Sequence, residues 1–429
     1  MMVANENIAA GARSSSPLLW RVALLCGLIQ MLDGYDLISI GLAIPSLAKE
    51  WSLPSAAFTP AFVSSSIGIM VGAMLAGPAA DLFGRKPTLL ISVALFGLFS
   101  LASAWANSLP MLVALRFVTG IGIGGVMPTT VALTSDYTSD RWRASVVMLM
   151  FTGGAIGGFF AGQIAAQVLP HWGWQGIFYV GGVAPLVLLM VLIPALPESP
   201  QFQSGVRPPS AKKNPVKSLF VDGLALTTIL LWAIFLINLM DTYLINYWLP
   251  TVLNLEGFTP SEAAFATSTF PAGAIISALL LGPIIARYGA ERTLATSLLI
   301  GAISIGIVGL VRLPIVPMMV ALAIAGGGFI GSQNGLNGLA AAAYPSETRA
   351  TGVGWALAIS RPGGIVGPIV GGALLSLGLP PIQVMLFVCG PGLVTAALVA
   401  LLAVRRRRHA EMTLTRATAA MDGVGPAVR

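Results

Sequence analysis

The sequence predicts an all-α integral membrane protein in which twelve transmembrane helices form two pseudo-symmetric six-helix bundles. Three observations carry that reading. The first is composition: 429 residues are 56% apolar and 9% charged, with a mean hydropathy of +0.87. A soluble chain of this length would hold roughly three domains, and soluble proteins carry about a quarter of their residues charged. The 23 basic and 16 acidic residues here cannot cover three such domains. The second is that the apolar runs are continuous and long, which excludes a β-barrel, whose strands alternate. The third is an internal repeat at an offset of 205 to 208 residues. The 49 glycines, about 11% against about 7% normally, suit helices that pack closely in lipid.

About 20 apolar residues are needed to cross roughly 30 Å of hydrocarbon. Six runs satisfy this in the first half: Trp20–Ala48, Phe58–Ala80, Pro87–Trp105, Leu109–Tyr137, Ala144–Leu169 and Gly176–Leu196. Six more follow: Phe220–Pro250, Ser261–Ala286, Thr293–Val311, Ile315–Tyr344, Ala350–Leu377 and Ile382–Val404. The one long polar stretch, rich in Pro, Ser and Lys, separates them. The expected organisation is therefore a tail 1–19, a bundle 20–196, a linker 197–219, a bundle 220–404 and a tail 405–429. The first 19 residues lack the charged, apolar and small-residue regions of a cleaved secretory signal.

Orientation follows from the Lys/Arg bias. With both termini on the cytoplasmic side, 19 of the 23 basic residues fall inside, only Lys49 and Arg312 fall outside, and Arg116 and Arg361 lie within spans. The Arg405 to Arg408 run then anchors the last helix beside anionic headgroups. A net charge of +7 scattered between apolar runs is no nucleic-acid footprint. Cys26 and Cys389 sit in apolar runs and read as small buried residues. His171 and His409 lie apart, so no metal site is expected, and without a Walker loop the energy must come from an ion gradient.

The repeat supports the division. Gly77-Pro-Ala-Ala-Asp81-Leu-Phe-Gly84-Arg85-Lys86 returns as Gly282-Pro-Ile-Ile-Ala286-Arg-Tyr-Gly289-Ala290-Glu291. Leu32-Asp33-Gly34-Tyr35 matches Met240-Asp241-Thr242-Tyr243, and Arg143-Ala144 matches Arg349-Ala350. Duplicated bundles place a substrate site between the halves near the membrane midplane.

Through Gly77-x-x-x-Asp81-x-x-Gly84-Arg85-Lys86 and its six-plus-six layout, the whole chain resembles the major facilitator superfamily. Arg116-Phe-x-x-Gly120-x-Gly122-x-Gly124 and Leu196-Pro197-Glu198-Ser199-Pro200 are similar to further superfamily elements, although Gln201 stands where an Arg is usual. Within the superfamily, Asp33-Gly34-Tyr35-Asp36 and Arg361-x-Gly363-x-x-x-Gly367-Pro368 resemble signatures of the aromatic acid:proton symporters. That resemblance implies a bacterial inner-membrane importer of benzoate-like or hydroxybenzoate-like anions, with protons as the coupling ion and no other cofactor. It also implies that Arg116 senses the protonation state of the span-one acids. A fixed interhelical ion pair is the plainer role for it.

Ionisable groups at membrane depth are expensive and functional by default. Asp33 and Asp36, three residues apart, share one helix face, and two close carboxylates in a poorly solvated site should not both be ionised. Such a pair can take up and release the coupling proton. Tyr35 adds a ring and a hydroxyl. The planar fork of Arg361 suits a substrate carboxylate, the alternative being a permanent bridge to Asp241 or to the span-one acids. Asn238, Asp241, Tyr243, Asn246, Tyr247 and Trp248 make a polar, aromatic strip able to stack a ring, while Tyr247 and Trp248 also suit an interfacial belt. Asp81, Arg85 and Lys86, with Gly77 and Gly84, read as an inner gate, with Asp136, Arg141 and Arg143 as candidate partners. The second copy has lost the acid (Ala286) and the first base (Ala290), so gating rests on the first. The glycines at 120, 122 and 125 lie in mid-span without a preceding strand, so helix packing outweighs a dinucleotide fingerprint. Gly153, Gly154, Gly157, Gly158 and Gly162 likewise read as packing glycines.

The function expected is import of an aromatic carboxylate by proton symport through alternating access, by a monomer in the lipid bilayer and not an enzyme. The alternatives are a sugar, polyol or other organic-anion symporter, a multidrug proton antiporter, and a non-transporting sensor.

Overall fold

A computed structural model describes residues 17–139, 142–203, 216–221, 224–345 and 348–421. Arg13, Arg141, Arg207, Lys212, Lys213 and Arg429, all expected on the cytoplasmic side, lie outside the described residues.

The first half runs through α1 (Pro17–Glu50), α2 (Thr59–Phe83), α3 (Arg85–Ser103), α4 (Leu109–Tyr137) and α5 (Arg143–Ala195). A straight helix of 53 residues would be about 80 Å long, more than twice the hydrocarbon thickness. It is two spans, broken at Gly173, whose φ of 61° and ψ of −162° leave the helical region. Glycine takes such a φ without the Cβ penalty. The expected fifth and sixth spans thus form one element with a break, where the sequence suggested a short loop.

The second half contains α6 (Ala225–Leu255), α7 (Pro260–Tyr288), α8 (Ala290–Leu310), α9 (Ile315–Gly326), α10 (Ser332–Ala343), α11 (Arg349–Ser360), α12 (Gly363–Ser376) and α13 (Gln383–Met421). Two of its spans are interrupted. A π-turn at Gly327–Gly331 joins α9 to α10, and Arg361-Pro362 separates α11 from α12. The described residues contain no strand. Eleven helical segments are long and apolar enough to cross a membrane, and dividing the one at Gly173 gives the expected twelve. Apolar side chains face outward on many helices, Met190, Leu279 and Leu377 each more than 70% exposed. That pattern belongs to a hydrocarbon solvent.

The glycines decide how closely the helices approach. A Cβ at Gly34 would strike the Gly154 carbonyl, and one at Gly157 would strike that of Met31, so α1 and α5 meet backbone to backbone. Gly120 and Gly124 of α4 press against the carbonyls of Ser65 and Ile69 on α2 in the same way.

The two ends of the molecule differ. At the end away from Arg85, Arg287 and Arg349, one apolar cluster crosses both halves, joining Leu42, Phe62 and Ala161 to Leu244, Trp248 and Phe270. There α5 meets α7 through Gly162 against Ala264 and Ser268, and Gln163 donates to Ser268 at 2.8 Å. At the basic end the apolar clusters separate, one inside the first half around Leu89, Phe96 and Leu133, the other inside the second around Leu231, Phe235 and Leu339. The halves are therefore sealed together at one end and apart at the other.

Candidate substrate and proton-coupling site

The two acids of α1 have different surroundings. Asp36 is buried inside the first bundle. It accepts a hydrogen bond from Ser100 at 2.5 Å and pairs with Arg116 Nη1 at 3.2 Å. Arg116, itself inaccessible, donates from Nη2 to Ser103 and Thr119, both at 3.0 Å, and lies 5.0 Å from the centroid of the Phe178 ring. A buried charge persists only when paired and hydrogen-bonded, and α3 and α4 supply those partners. The Tyr35 hydroxyl donates to the Ile177 carbonyl at 3.0 Å, which turns it into the bundle.

Asp33, one turn earlier, is part-exposed at the junction of the halves, within electrostatic reach of Arg361. The cause lies in the second half. Pro362 lacks an N–H and interrupts the helix, so Arg361 sits at the break between α11 and α12 rather than inside a regular turn. Its Nη2 reaches Met127 of α4 at 3.0 Å, and the Tyr243 hydroxyl lies within its hydrogen-bonding reach. Gly363 and Gly367 lie against the carbonyls of Leu236 and Met240, and Gly364 against the Tyr243 ring, which draws α12 onto α6. Ser66 of α2 donates to the Gly364 carbonyl at 2.8 Å and ties the two halves at this level.

Asp33, Arg361, Tyr243 and Met127 therefore meet where the bundles join. The other members of the α6 strip do not. Asn238 donates to Gln333 at 2.7 Å and to the Phe329 carbonyl at 3.3 Å inside its own bundle. Asp241 is inaccessible there, without the bridge to Arg361 that the sequence left open. Asn246 is buried where α6 meets α1 opposite Gly41. Tyr247 and Trp248, nearly inaccessible, do not form an interfacial belt. Tyr247 stacks on Phe62 with centroids 4.4 Å apart, and Trp248 donates to the Pro368 carbonyl at 3.0 Å. They seal the closed end because their rings fill the seam between α2, α6 and α12.

At the basic end Arg85 forms an ion pair with Asp136 and donates to the Ala132 carbonyl at 2.9 Å. Ser199 also donates to Asp136. Glu198 accepts from the backbone N–H groups of Arg85 at 3.0 Å and Lys86 at 3.2 Å, so its charge caps the N-terminus of α3. Lys86 donates to the Ile193 carbonyl at 2.7 Å. Gly84, at φ 100°, stands where a Cβ would press on the Glu198 carboxylate. Asp81 is exposed and reaches Arg85 of its own half electrostatically. Gly77 has open space where a Cβ would point, and Arg143 is exposed at the start of α5.

The second half rebuilds this latch with its polarity reversed. Arg406 of α13 pairs with Glu291 of α8 at 2.7 Å and donates to the Ala342 carbonyl at 3.0 Å. The second copy, with Ala286 in place of the acid and Ala290 in place of the first base, therefore still has an ion pair at this end. Sequence reasoning missed Glu291 and Arg406 in this role, and also Ser100, Ser103, Thr119 and Met127. The only trace of the serines was a polar pair three residues apart in the outer half of an apolar span.

The model of the Major Facilitator Superfamily matches residues 26–259 and 231–424. The chain is 36% identical to the gallate transporter of Pseudomonas putida, over 84% of this chain and 86% of that one. It is 34% identical to the 4-hydroxybenzoate transporter of Pseudomonas aeruginosa, over 91% and 94%. Among solved structures, the nucleoside transporter NupG superposes with a TM-score of 0.72 at 14% identity, covering 90% of this chain and 99% of that one, which speaks for the fold alone. With two six-helix halves meeting at a broken helix and a family match along nearly its whole length, this chain belongs to the Major Facilitator Superfamily and is a membrane transporter, not an enzyme.

Proposed function

We propose that this chain imports an aromatic carboxylate together with protons across the bacterial inner membrane, both termini cytoplasmic, by alternating access of its two halves. The observation that carries the reading is the meeting of Arg361, Asp33 and Tyr243 at the helix break between the halves. A guanidinium there offers a carboxylate two parallel hydrogen bonds, and Tyr243 supplies a ring and a hydroxyl beside it. The two relatives above bear the names of hydroxylated aromatic acids, which fits an arginine as the anchor.

With the basic end as the cytoplasmic side, the present conformation faces inward. Asp33 and the substrate carboxylate compete for Arg361. A proton on Asp33 frees the arginine for substrate, and loss of that proton to the cytoplasm lets Asp33 reclaim Arg361 and expel the substrate. Asp36 and Arg116 form a second coupled pair, whose charge separation changes when Asp36 is protonated. The Arg85, Asp136 and Glu198 latch holds the inner end of the first bundle as a rigid unit while the halves rock. A population shift of this kind needs contacts that differ between the two states, and both the Asp33–Arg361 approach and the seal at the opposite end are contacts of that type.

The run Pro197-Glu198-Ser199-Pro200 also suits a sugar or polyol porter. The capping of α3 by Glu198 explains that motif without any sugar. The test is uptake of labelled aromatic acids into proteoliposomes under an imposed pH gradient. Accumulation of benzoate- or hydroxybenzoate-like anions that collapses with a protonophore is expected. Accumulation of sugars and of no carboxylate would overturn the reading.

A further inference from the structure

Asp241 is unlike every other acid in the spans. It is inaccessible, and neither carboxylate oxygen has a hydrogen-bond partner among the described residues. In the repeat it answers Asp33, 208 residues earlier, yet like Asp36 it is inaccessible inside its own bundle. At an offset of 206, the four groups that hold Asp36 in the first half, Ser100, Ser103, Arg116 and Thr119, become Gly306, Gly309, Leu322 and Ala325. The second bundle therefore buries an acid with none of the donors, and without the cation, that hold Asp36 in the first.

Among the described residues, the charged groups of α7 (Glu262, Arg287), α11 (Arg349) and α13 (Arg405, Arg406) lie toward the ends of the bundle. The π-turn, α9, α10 and α12 carry no titratable residue, and those of α8, Glu291 and Arg292, lie at its basic end. Arg361 and Asp33 lie at the junction of the halves, beside Tyr243. The titratable neighbour within electrostatic reach is the half-buried thiol of Cys389 on α13, whose sulfur abuts Gly306. An ionised carboxylate in such a place is neutralised rather than tolerated. A neutral carboxyl also gains the O–H donor that an ionised one lacks. One turn earlier on the same helix, Asn238 Oδ1 is likewise an acceptor without a donor.

We propose that Asp241 is a second proton-binding site, loaded in this inward-facing conformation and emptied in the course of the transport cycle, separate from the substrate site. It rests on the proton-coupled transport proposed above. Asp241 is inaccessible in this conformation, so its proton leaves only when the bundle shifts and water reaches the carboxyl. The two halves then handle protons differently: Asp36 gives up its proton to become half of an ion pair, whereas Asp241 gives up its proton only when solvent arrives.

The test uses the full chain in two arms. Purified protein without substrate is treated with a membrane-soluble carbodiimide, which reacts with protonated buried carboxyls, across a pH series and analysed by peptide mass spectrometry. An adduct on Asp241 that declines as pH rises is expected, with Asp36, held by Arg116, unmodified. Asp241→Asn should lose the adduct and Asp241→Glu should restore it. In the second arm the proton-to-substrate ratio is measured from reversal potentials in proteoliposomes, where Asp241→Asn should transport one proton fewer per substrate than wild type. Absence of the adduct at every pH, or an unchanged ratio in Asp241→Asn, overturns the proposal. Wild-type liposomes that take up no aromatic acid would instead sink the transport reading, and the substrate-free labelling distinguishes the two failures.

Discussion

The two bundles share an ancestor pattern yet treat buried charge in opposite ways. In the first, Asp36 is embedded among Ser100, Ser103, Arg116 and Thr119 as an ion pair with hydrogen bonds on both partners. In the second, Asp241 has no such company. At the basic end the contrast takes another form, with Arg85 and Asp136 in the first half answered by Glu291 and Arg406 in the second. Duplication conserves positions on a helix, but the electrostatic outcome depends on which neighbours survive. One half became a charged network, the other an isolated acid.

The largest effect should come from breaking the network. Arg116→Leu leaves the Asp36 carboxylate buried beside an apolar side chain, and removing one partner of a buried pair costs about 3–5 kcal/mol. Thermal unfolding should move sharply down, or the protein should fail to elute as a single species. Asp241→Asn, which changes one neutral group for another, should leave the melting temperature nearly unchanged. Equal destabilisation in both variants would erase the contrast between the halves.

Next is Arg361→Ala. It removes charged hydrogen bonds worth about 1.5–3 kcal/mol, so the Kd for an aromatic carboxylate should rise roughly ten- to a hundredfold. Titration calorimetry would show it, and an unchanged Kd would remove the arginine from the site. Gly34→Ala probes the packing side of the comparison. The new methyl meets the Gly154 backbone, and overpacking of this kind costs about 1–3 kcal/mol. The residue 208 positions later, Thr242, already carries a side chain, and Thr242→Ala should cost less. The smallest effect belongs to the part-exposed pair of the second half. Glu291→Arg should cost about 0.3–1 kcal/mol, and adding Arg406→Glu should recover it. A double variant no better than the single one would show that the reversed latch contributes nothing.

Much of this was legible in the sequence because hydrocarbon imposes a simple length requirement. The twelve spans and the packing glycines of α4 and α5 followed from runs of apolar residues and the repeat. Arg361, Tyr243 and Asp33 were singled out as charged or polar groups stranded in apolar spans, and they meet. The partition of the α1 acids was not legible. A spacing of three residues separates them by about 60° on the helix, enough at a bundle edge for Asp36 to face inward and Asp33 to face the other half. The α6 strip was read as one surface, yet Tyr243 faces Arg361 while Asn238 and Asp241 face their own bundle. Burial of Tyr247 and Trp248 overturned the belt because depth along a helix does not reveal what covers its side.

The sequence by itself determined the solvent, the number of spans, the twofold repeat and which charges are costly, since each depends on composition along one strand of chain. Only the tertiary structure decided which costly charges are paired, which end of the molecule is sealed, and that the second half buries an acid without a base. Those outcomes depend on groups distant in the chain coming within a few ångströms in a medium where an unpaired charge has no water to answer it.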